Sequence, residues 1–197
     1  MRLDPIEEPD GIRMRFVYWM MRRKFGTAMT PLKVVVARVP GLLGVNRAFQ
    51  KFHTNKIQLE PELKLMVGTL VSKTNECGFC VDFTQSEAIR EDLEMEKFNA
   101  LAEYQTSPLF TERERAALAY AEEITRQKTV SDATFEELRT HFNDREIVEI
   151  TVLNAMQNFT TLINIPLEIE SDGLCAIARS ETKTEQGEQT SVRSVQD

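Results

Sequence analysis

Apolar residues recur along the chain at intervals of three and four, the spacing of one face of an α-helix, and each run is bounded by helix start and stop signals. Between Pro61 and Ser72 the residues Leu63, Leu65, Met66, Val67, Leu70 and Val71 leave almost no polar face, so this helix is expected at the centre of the molecule. Thr111 and Glu114 match a capping box that opens a helix through Ala116, Ala117, Leu118, Tyr120, Ala121 and Ile124. Ser131-Asp132 caps a run through Phe135 and Leu138. Asn143 and Glu146 form a second box-like start, opening a long apolar helix from Ile147 to about Ile163, which Pro166 stops. Upstream, residues 12–25 read as a cationic amphipathic helix ended near Gly26. Thr30-Pro31 starts a short helix to Arg38, and Leu42 to His53 reads as another with Leu43, Val45, Ala48, Phe49 and Phe52 on its apolar side. Glu94 to Ala102 predicts one more short helix. No stretch alternates convincingly with a period of two, and the expected architecture is an all-α bundle.

Composition supports an ordinary globular domain and excludes several alternatives. Of 197 residues, 42% are hydrophobic and 28% charged, enough to build a core. With 8 Gly and 7 Pro, a turn-rich all-β chain is not expected. No stretch approaches the ~20 apolar residues of a membrane span, and the acidic start Met1 to Glu8 lacks the apolar region of a signal peptide. The net charge of -7 is unevenly spread: residues 1–56 hold eleven Lys/Arg and four Asp/Glu, whereas the remainder holds thirteen and twenty-seven. The basic segment is expected to pack on the acidic body of its own or a neighbouring subunit. No nucleic acid is expected, because aromatic residues are not interleaved along a basic track, and membrane binding is not expected either. From Ala178 onward the chain lacks apolar anchors and reads as a disordered tail.

The candidate chemistry is concentrated in Cys77-Gly78-Phe79-Cys80, between the central apolar run and a helix carrying Phe83, Ala88 and Ile89. Two cysteines three positions apart can close a disulfide, share a metal or, at a helix N-terminus, be held as thiolate by the peptide dipoles. They can also be inert, buried and apolar. Zinc needs about four ligands, and Cys175, His53 and His141 are isolated in sequence, so no metal and no other cofactor are expected. Glu76 and Asp82 oppose thiolate formation. Asp82, two residues after Cys80, is the better placed of the two to accept a proton. Asn154 and Asn158 share a face of the long helix and are expected to bridge helices rather than line a pocket. Three cysteines with one close pair suggest a reducing, cytoplasmic setting.

The ordered segments Ser72 to Cys80, Ser107 to Thr125, Val130 to Leu138 and Asp144 to Thr151 resemble the carboxymuconolactone decarboxylase-like, alkylhydroperoxidase D-like (AhpD-like) family over about residues 57–165. The resemblance implies an AhpD-like domain over 57–177, preceded by a helical extension over 1–56 and followed by a tail over 178–197. It also implies assembly as trimers or hexamers. In active members a Cys-x-x-Cys pair reduces hydroperoxides, which makes Cys80 the peroxidatic and Cys77 the resolving cysteine. A dithiol such as a lipoylated protein supplies the electrons. The family's proton relay is not matched. The histidine four residues after the second cysteine is Thr84, the one before it is Phe79, and the glutamate twelve before the first cysteine is Leu65. The two functions to weigh are therefore a thiol-dependent peroxidase, with Cys80, Cys77 and Asp82 as site residues, and a non-catalytic oligomer that binds or senses redox state. Nothing in the sequence supports the decarboxylation that names the family.

Overall fold

A computed structural model describes residues 1–182. Among these the ordered elements are helices, with no strand: α1 (Ile12–Phe25), α2 (Leu42–Asn55), α3 (Pro61–Thr74), α4 (Gly78–Arg90), α5 (Met95–Asn99), α6 (Glu112–Gln127), α7 (Asp132–His141) and α8 (Asp144–Asn164). A π-helical turn (Leu32–Val36) precedes α2, a 3-10 turn (Ala100–Glu103) follows α5, and a further helix starts at residue 174. Residues 178–182, assigned to the tail from sequence, continue that last helix because Ala178 is buried and anchors it. The remainder of the expected tail lies outside the described residues.

The near-absence of a polar face on α3 has the expected consequence. Nine of its residues, from Leu63 to Ser72, are buried, and it packs against α4, α6 and α8 at once. Both expected capping boxes form. Thr111 accepts from the Glu114 N–H while the Glu114 carboxylate accepts from the Thr111 N–H, and Asn143 and Glu146 do the same at the start of α8. The main core joins α3, α6 and α8 through Met66, Val67, Val71, Leu118, Ile150 and their neighbours.

The N-terminal extension divides in two. Residues 1–40 wrap over the C-terminal segment. The Arg2 N–H donates to the Leu167 carbonyl, and Thr30 gives both its N–H and its hydroxyl to the Asp172 carboxylate. Met14 and Tyr18 of α1 close a small core with Ala28, Leu32 and Val36. Gly26 ends α1 in the left-handed conformation (φ 73°), and a side chain there would meet Ile177 at 2.9 Å, so the position needs glycine twice over. The second half behaves differently. α2 has no fully buried residue, although its pattern predicts an apolar side; Leu42 and Leu43 pack partly on the small α1 core, and Phe49 sits edge-on against Phe159 of α8.

Candidate active site: the Cys77–Cys80 pair

The sulfur pair is placed by the turn between α3 and α4. Glu76 adopts the left-handed conformation (φ 58°), and the Cys77 N–H returns 2.9 Å to the Ser72 carbonyl, the long bond of a Schellman-type helix end. Cys77 is then extended and is the N-cap of α4, which makes Cys80 the third helical residue. N-cap and third position are the pair whose side chains meet in a capping box. Here two sulfurs occupy them and are joined as a disulfide, with the Cα atoms 5.3 Å apart. Helix N-termini leave N–H groups without carbonyl partners, and these favour negative charge on a sulfur released at this point.

Each cysteine is only 2% exposed, in a cluster with Val34, Phe79, Ile169 and Leu174. The pair is therefore covered by the wrapping residues on one side and the C-terminal segment on the other. A cavity of about 280 Å³ reaches it between Glu76, Ile165, Glu168 and Ile169; Cys77 lines this cavity, and Cys80 does not. Cys80 instead faces Asn164, the last residue of α8, whose Nδ2 donates to Sγ at 3.4 Å. Sequence reasoning missed Asn164. Its signal is a single amide at the end of an apolar helix, which carries meaning only once α8 is laid beside α4.

Behind the pair the polar groups are neutral. The Thr69 and Thr84 hydroxyls are 3.0 Å apart, and each also reaches the carbonyl one turn back in its own helix, Leu65 and Cys80 respectively. Gln157 donates to the Ser72 hydroxyl at 2.8 Å. Leu65 is buried, and Phe79 stacks on Phe83. The carboxylates nearest in sequence to the relay position face elsewhere: Glu60 pairs with Arg113 and Glu62 with Lys97.

Asp82 is a correction to the expected site. Its carboxylate accepts from the Ser171 hydroxyl (2.7 Å), the Leu174 N–H (2.7 Å) and the Cys175 N–H (2.9 Å), and so caps the last helix from outside. Burial pushes this carboxyl up, but the hydrogen bonds outweigh burial and hold it below the usual range. With its donors all on the C-terminal segment, it has an anchoring task, not a bond to either sulfur of the pair. Cys175 is free and half-buried, and its thiol donates to the Asp82 carbonyl at 3.3 Å. Burial first, and then the adjacent carboxylate, push this thiol up to about 12. Asn154 and Asn158 do bridge. Asn154 donates to the Ala121 carbonyl and the Thr125 hydroxyl of α6, while Asn158 accepts from Asn75. His53 lies in α2, and His141 contacts Glu137 within α7. Among the described residues no group of three or more His, Cys, Asp or Glu is arranged to hold a metal, and no helix is long and apolar enough to cross a membrane.

An all-helical domain with a Cys-x-x-Cys pair at the junction of its central helices is the class of protein these features define. Residues 44–123 match the model of the carboxymuconolactone decarboxylase family. The uncharacterized protein YnjA of Escherichia coli K12 is 31% identical over 161 residues, which cover 81% of this chain and 88% of YnjA. The chain belongs to the carboxymuconolactone decarboxylase, AhpD-like, family. Among solved structures, the protein of unknown function ATU0492 from Agrobacterium tumefaciens superimposes with a TM-score of 0.65 at 28% identity, over 70% of this chain and 96% of that one. The debrominase Bmp8, in a cysteine-to-alanine form bound to 2,3,4-tribromopyrrole, reaches a TM-score of 0.75 at 22% identity, over 92% and 97% of the two chains. At that identity the likeness is one of fold.

Proposed function

We propose that this chain is a thiol-dependent peroxidase that reduces hydroperoxides through Cys80 and Cys77. The observation that carries the reading is the disulfide closed across the N-cap and third position of α4, with one sulfur on a cavity. In the reduced protein the Cys80 thiolate attacks the outer oxygen of the hydroperoxide. The O–O bond breaks, an alcohol leaves with the proton it needs, and Cys80 becomes a sulfenic acid. The Cys77 sulfur attacks that sulfur, water departs, and the disulfide forms. A dithiol donor, such as the dihydrolipoyl group of a partner protein, closes the cycle. Its first sulfur attacks Cys77 from the cavity and releases Cys80 as thiolate, and its second displaces Cys77, so two electrons and two protons pass to the pair.

The leaving Cys80 sulfur is stabilised by Asn164 and by the start of α4. Asp82 has no step in this scheme, and proton transfer falls to solvent entering the cavity. Loss of a positioned base typically costs ~10²–10⁴-fold, so turnover slower than in relay-equipped relatives is part of the proposal. The setting is cytoplasmic, where dithiol donors are maintained.

A second reading is favoured by one observation, the 2% exposure of both cysteines beside a cavity whose lining, Glu76 and Glu168 included, holds no imidazole. On it the pair senses redox state without turnover. Peroxide consumption with a dithiol donor, wild type against Cys80→Ser, separates the two. Wild-type turnover that the substitution abolishes supports the peroxidase; absent turnover, or turnover that survives it, leaves the sensing reading.

A further inference from the structure

The outward face of α1 points to a partner that is an anionic lipid surface. α1 carries two apolar stripes. Met14, Tyr18 and Phe25 turn inward and are buried. Ile12, Phe16, Trp19 and Met20, at intervals of four, three and one, form the other stripe and are exposed, Ile12 to 87% and Trp19 to 54%. At about 3.6 residues per turn these four fall within about 100° of arc and lie opposite the buried three. Packing on protein is the expectation from sequence for this helix, and the inward stripe fulfils it. The outward stripe is left in solvent, where Phe16 and Trp19 stack on each other with ring centroids 5.6 Å apart. Together the four side chains expose roughly 450 Å², within the range of the functional patches that single chains carry.

The charge around the stripe selects the occupant. α1 holds Arg13, Arg15, Arg22, Arg23 and Lys24 and no acidic residue, and all five cations are exposed. On the helix surface Arg13 and Lys24 border the stripe on one side, and Arg15 and Arg22 on the other. Arg23 sits at its C-terminal end, with its guanidinium 5.9 Å from the Trp19 ring centre. None of the four arginines forms an ion pair among the described residues. An aromatic and aliphatic stripe edged by Arg and Lys is the pattern of helices that lie in a bilayer interface, where the rings enter between headgroups and acyl chains and the long cations reach phosphate. A nucleic acid supplies phosphates but nothing apolar for Ile12 and Met20. A second α1 laid on this face brings the same cations, which repel.

The helix is too short to span a membrane. Its 14 residues extend about 21 Å, against ~30 Å of hydrocarbon, and its inner stripe is fixed to the body of the protein. We propose that α1 lies flat on an anionic bilayer, with Ile12, Phe16, Trp19 and Met20 in the interface and Arg13, Arg15, Arg22 and Arg23 on lipid phosphates. The attachment is peripheral and sensitive to salt, and it holds on either reading of the cysteine pair.

Trp19 is the only tryptophan in the chain, so its emission reports on the outward stripe directly. The test mixes the full-length chain with vesicles of phosphatidylcholine, or of phosphatidylcholine and phosphatidylglycerol in equal parts, and follows tryptophan emission and co-sedimentation. The mixed vesicles should carry the protein down and move its emission to shorter wavelength, and phosphatidylcholine alone should bind at least ~10-fold more weakly. Raising salt to ~0.5 M should weaken binding to the mixed vesicles. Ile12→Ser with Phe16→Ser should weaken it ~10-fold or more by removing half of the stripe, and Arg13→Gln with Arg15→Gln by about as much through charge. All four positions are exposed, and the far-ultraviolet spectrum should stay helical. Lipids carrying a doxyl quencher on the acyl chain should dim Trp19. Emission that mixed vesicles leave unshifted overturns the proposal, as does co-sedimentation without doxyl quenching, which would put another face on the lipid. A blue shift that follows protein concentration and not lipid would give the stripe to a second copy and overturn it as well.

Discussion

Two sulfur sites in this protein stand at the beginnings of helices, and they differ: one is a disulfide-bonded pair, the other a single free thiol. The Cys77–Cys80 pair opens α4, where Asn164 offers an N–H to Cys80 and Glu76 and Glu168 line the adjoining cavity. Cys175 lies in the first turn of the helix that starts at residue 174. There the N–H groups of Leu174 and Cys175 already hold the Asp82 carboxylate, and the thiol is pushed up to about 12. The peptide dipoles are the same kind in both places. What differs is whether a fixed anion has taken the N–H groups first. A helix N-terminus activates a cysteine only when nothing more basic competes for it.

The sharpest way to break this comparison is to remove each sulfur in turn. Cys80→Ser should reduce dithiol-driven peroxide turnover to background, a loss of at least ~10³-fold, while Cys175→Ser should leave it within about twofold. Comparable losses from both would mean that the two sites are not distinct.

Asp82→Asn tests the competing anion. It should destabilise the protein by about 1.5–3 kcal/mol, the range for hydrogen bonds to a charged group, as read from denaturant unfolding. It should also let Cys175 react with iodoacetamide at a lower pH than in wild type. The pH dependence has a definite sign. The folded Asp82 carboxyl sits below its unfolded value of about 3.9. Its contribution is therefore complete above that value and is lost as pH falls through the lower folded one. The stability gap between wild type and Asp82→Asn should narrow on acidification below about pH 4.

Asn164→Asp places a carboxylate beside Cys80 and so imitates Cys175. The carboxylate should push the reduced thiol up and lower the thiolate fraction at neutral pH, and alkylation rates against pH would show it. An unchanged profile would remove Asn164 from the site. The smallest effect is expected from Thr84→Val. Loss of one buried hydroxyl should cost about 1 kcal/mol and leave the pH–rate profile in place, since Thr69 keeps its bond to the Leu65 carbonyl. A displaced profile would show that Thr84 takes part in proton movement.

The helices were legible in the sequence because their signals are local. The apolar run of α3, the boxes at Thr111 and Asn143 and the stop at Pro166 each act within a few residues, and each appears where it was expected. The site was legible in its sulfurs and not in their surroundings. Asp82 was misread as a proton acceptor because its partners Ser171, Leu174 and Cys175 are some ninety positions away. Asn164 was missed for the same reason, being eighty-four residues from Cys80. The apolar side of α2 was read correctly as a pattern, yet the fold leaves Val45, Ala48 and Phe52 exposed and only half-buries Leu43 and Phe49.

By itself, then, the sequence determined an all-helical chain, the family, and a cysteine pair at the start of a buried helix, because periodicity, caps and the Cys-x-x-Cys spacing are properties of short stretches. The tertiary structure alone decided which carboxylate is engaged, which amide meets the sulfur, which cysteine borders the cavity and which apolar faces remain uncovered. Those outcomes depend on distant segments meeting, and hydrogen bonding and burial act over a few ångströms in space whatever the separation along the chain.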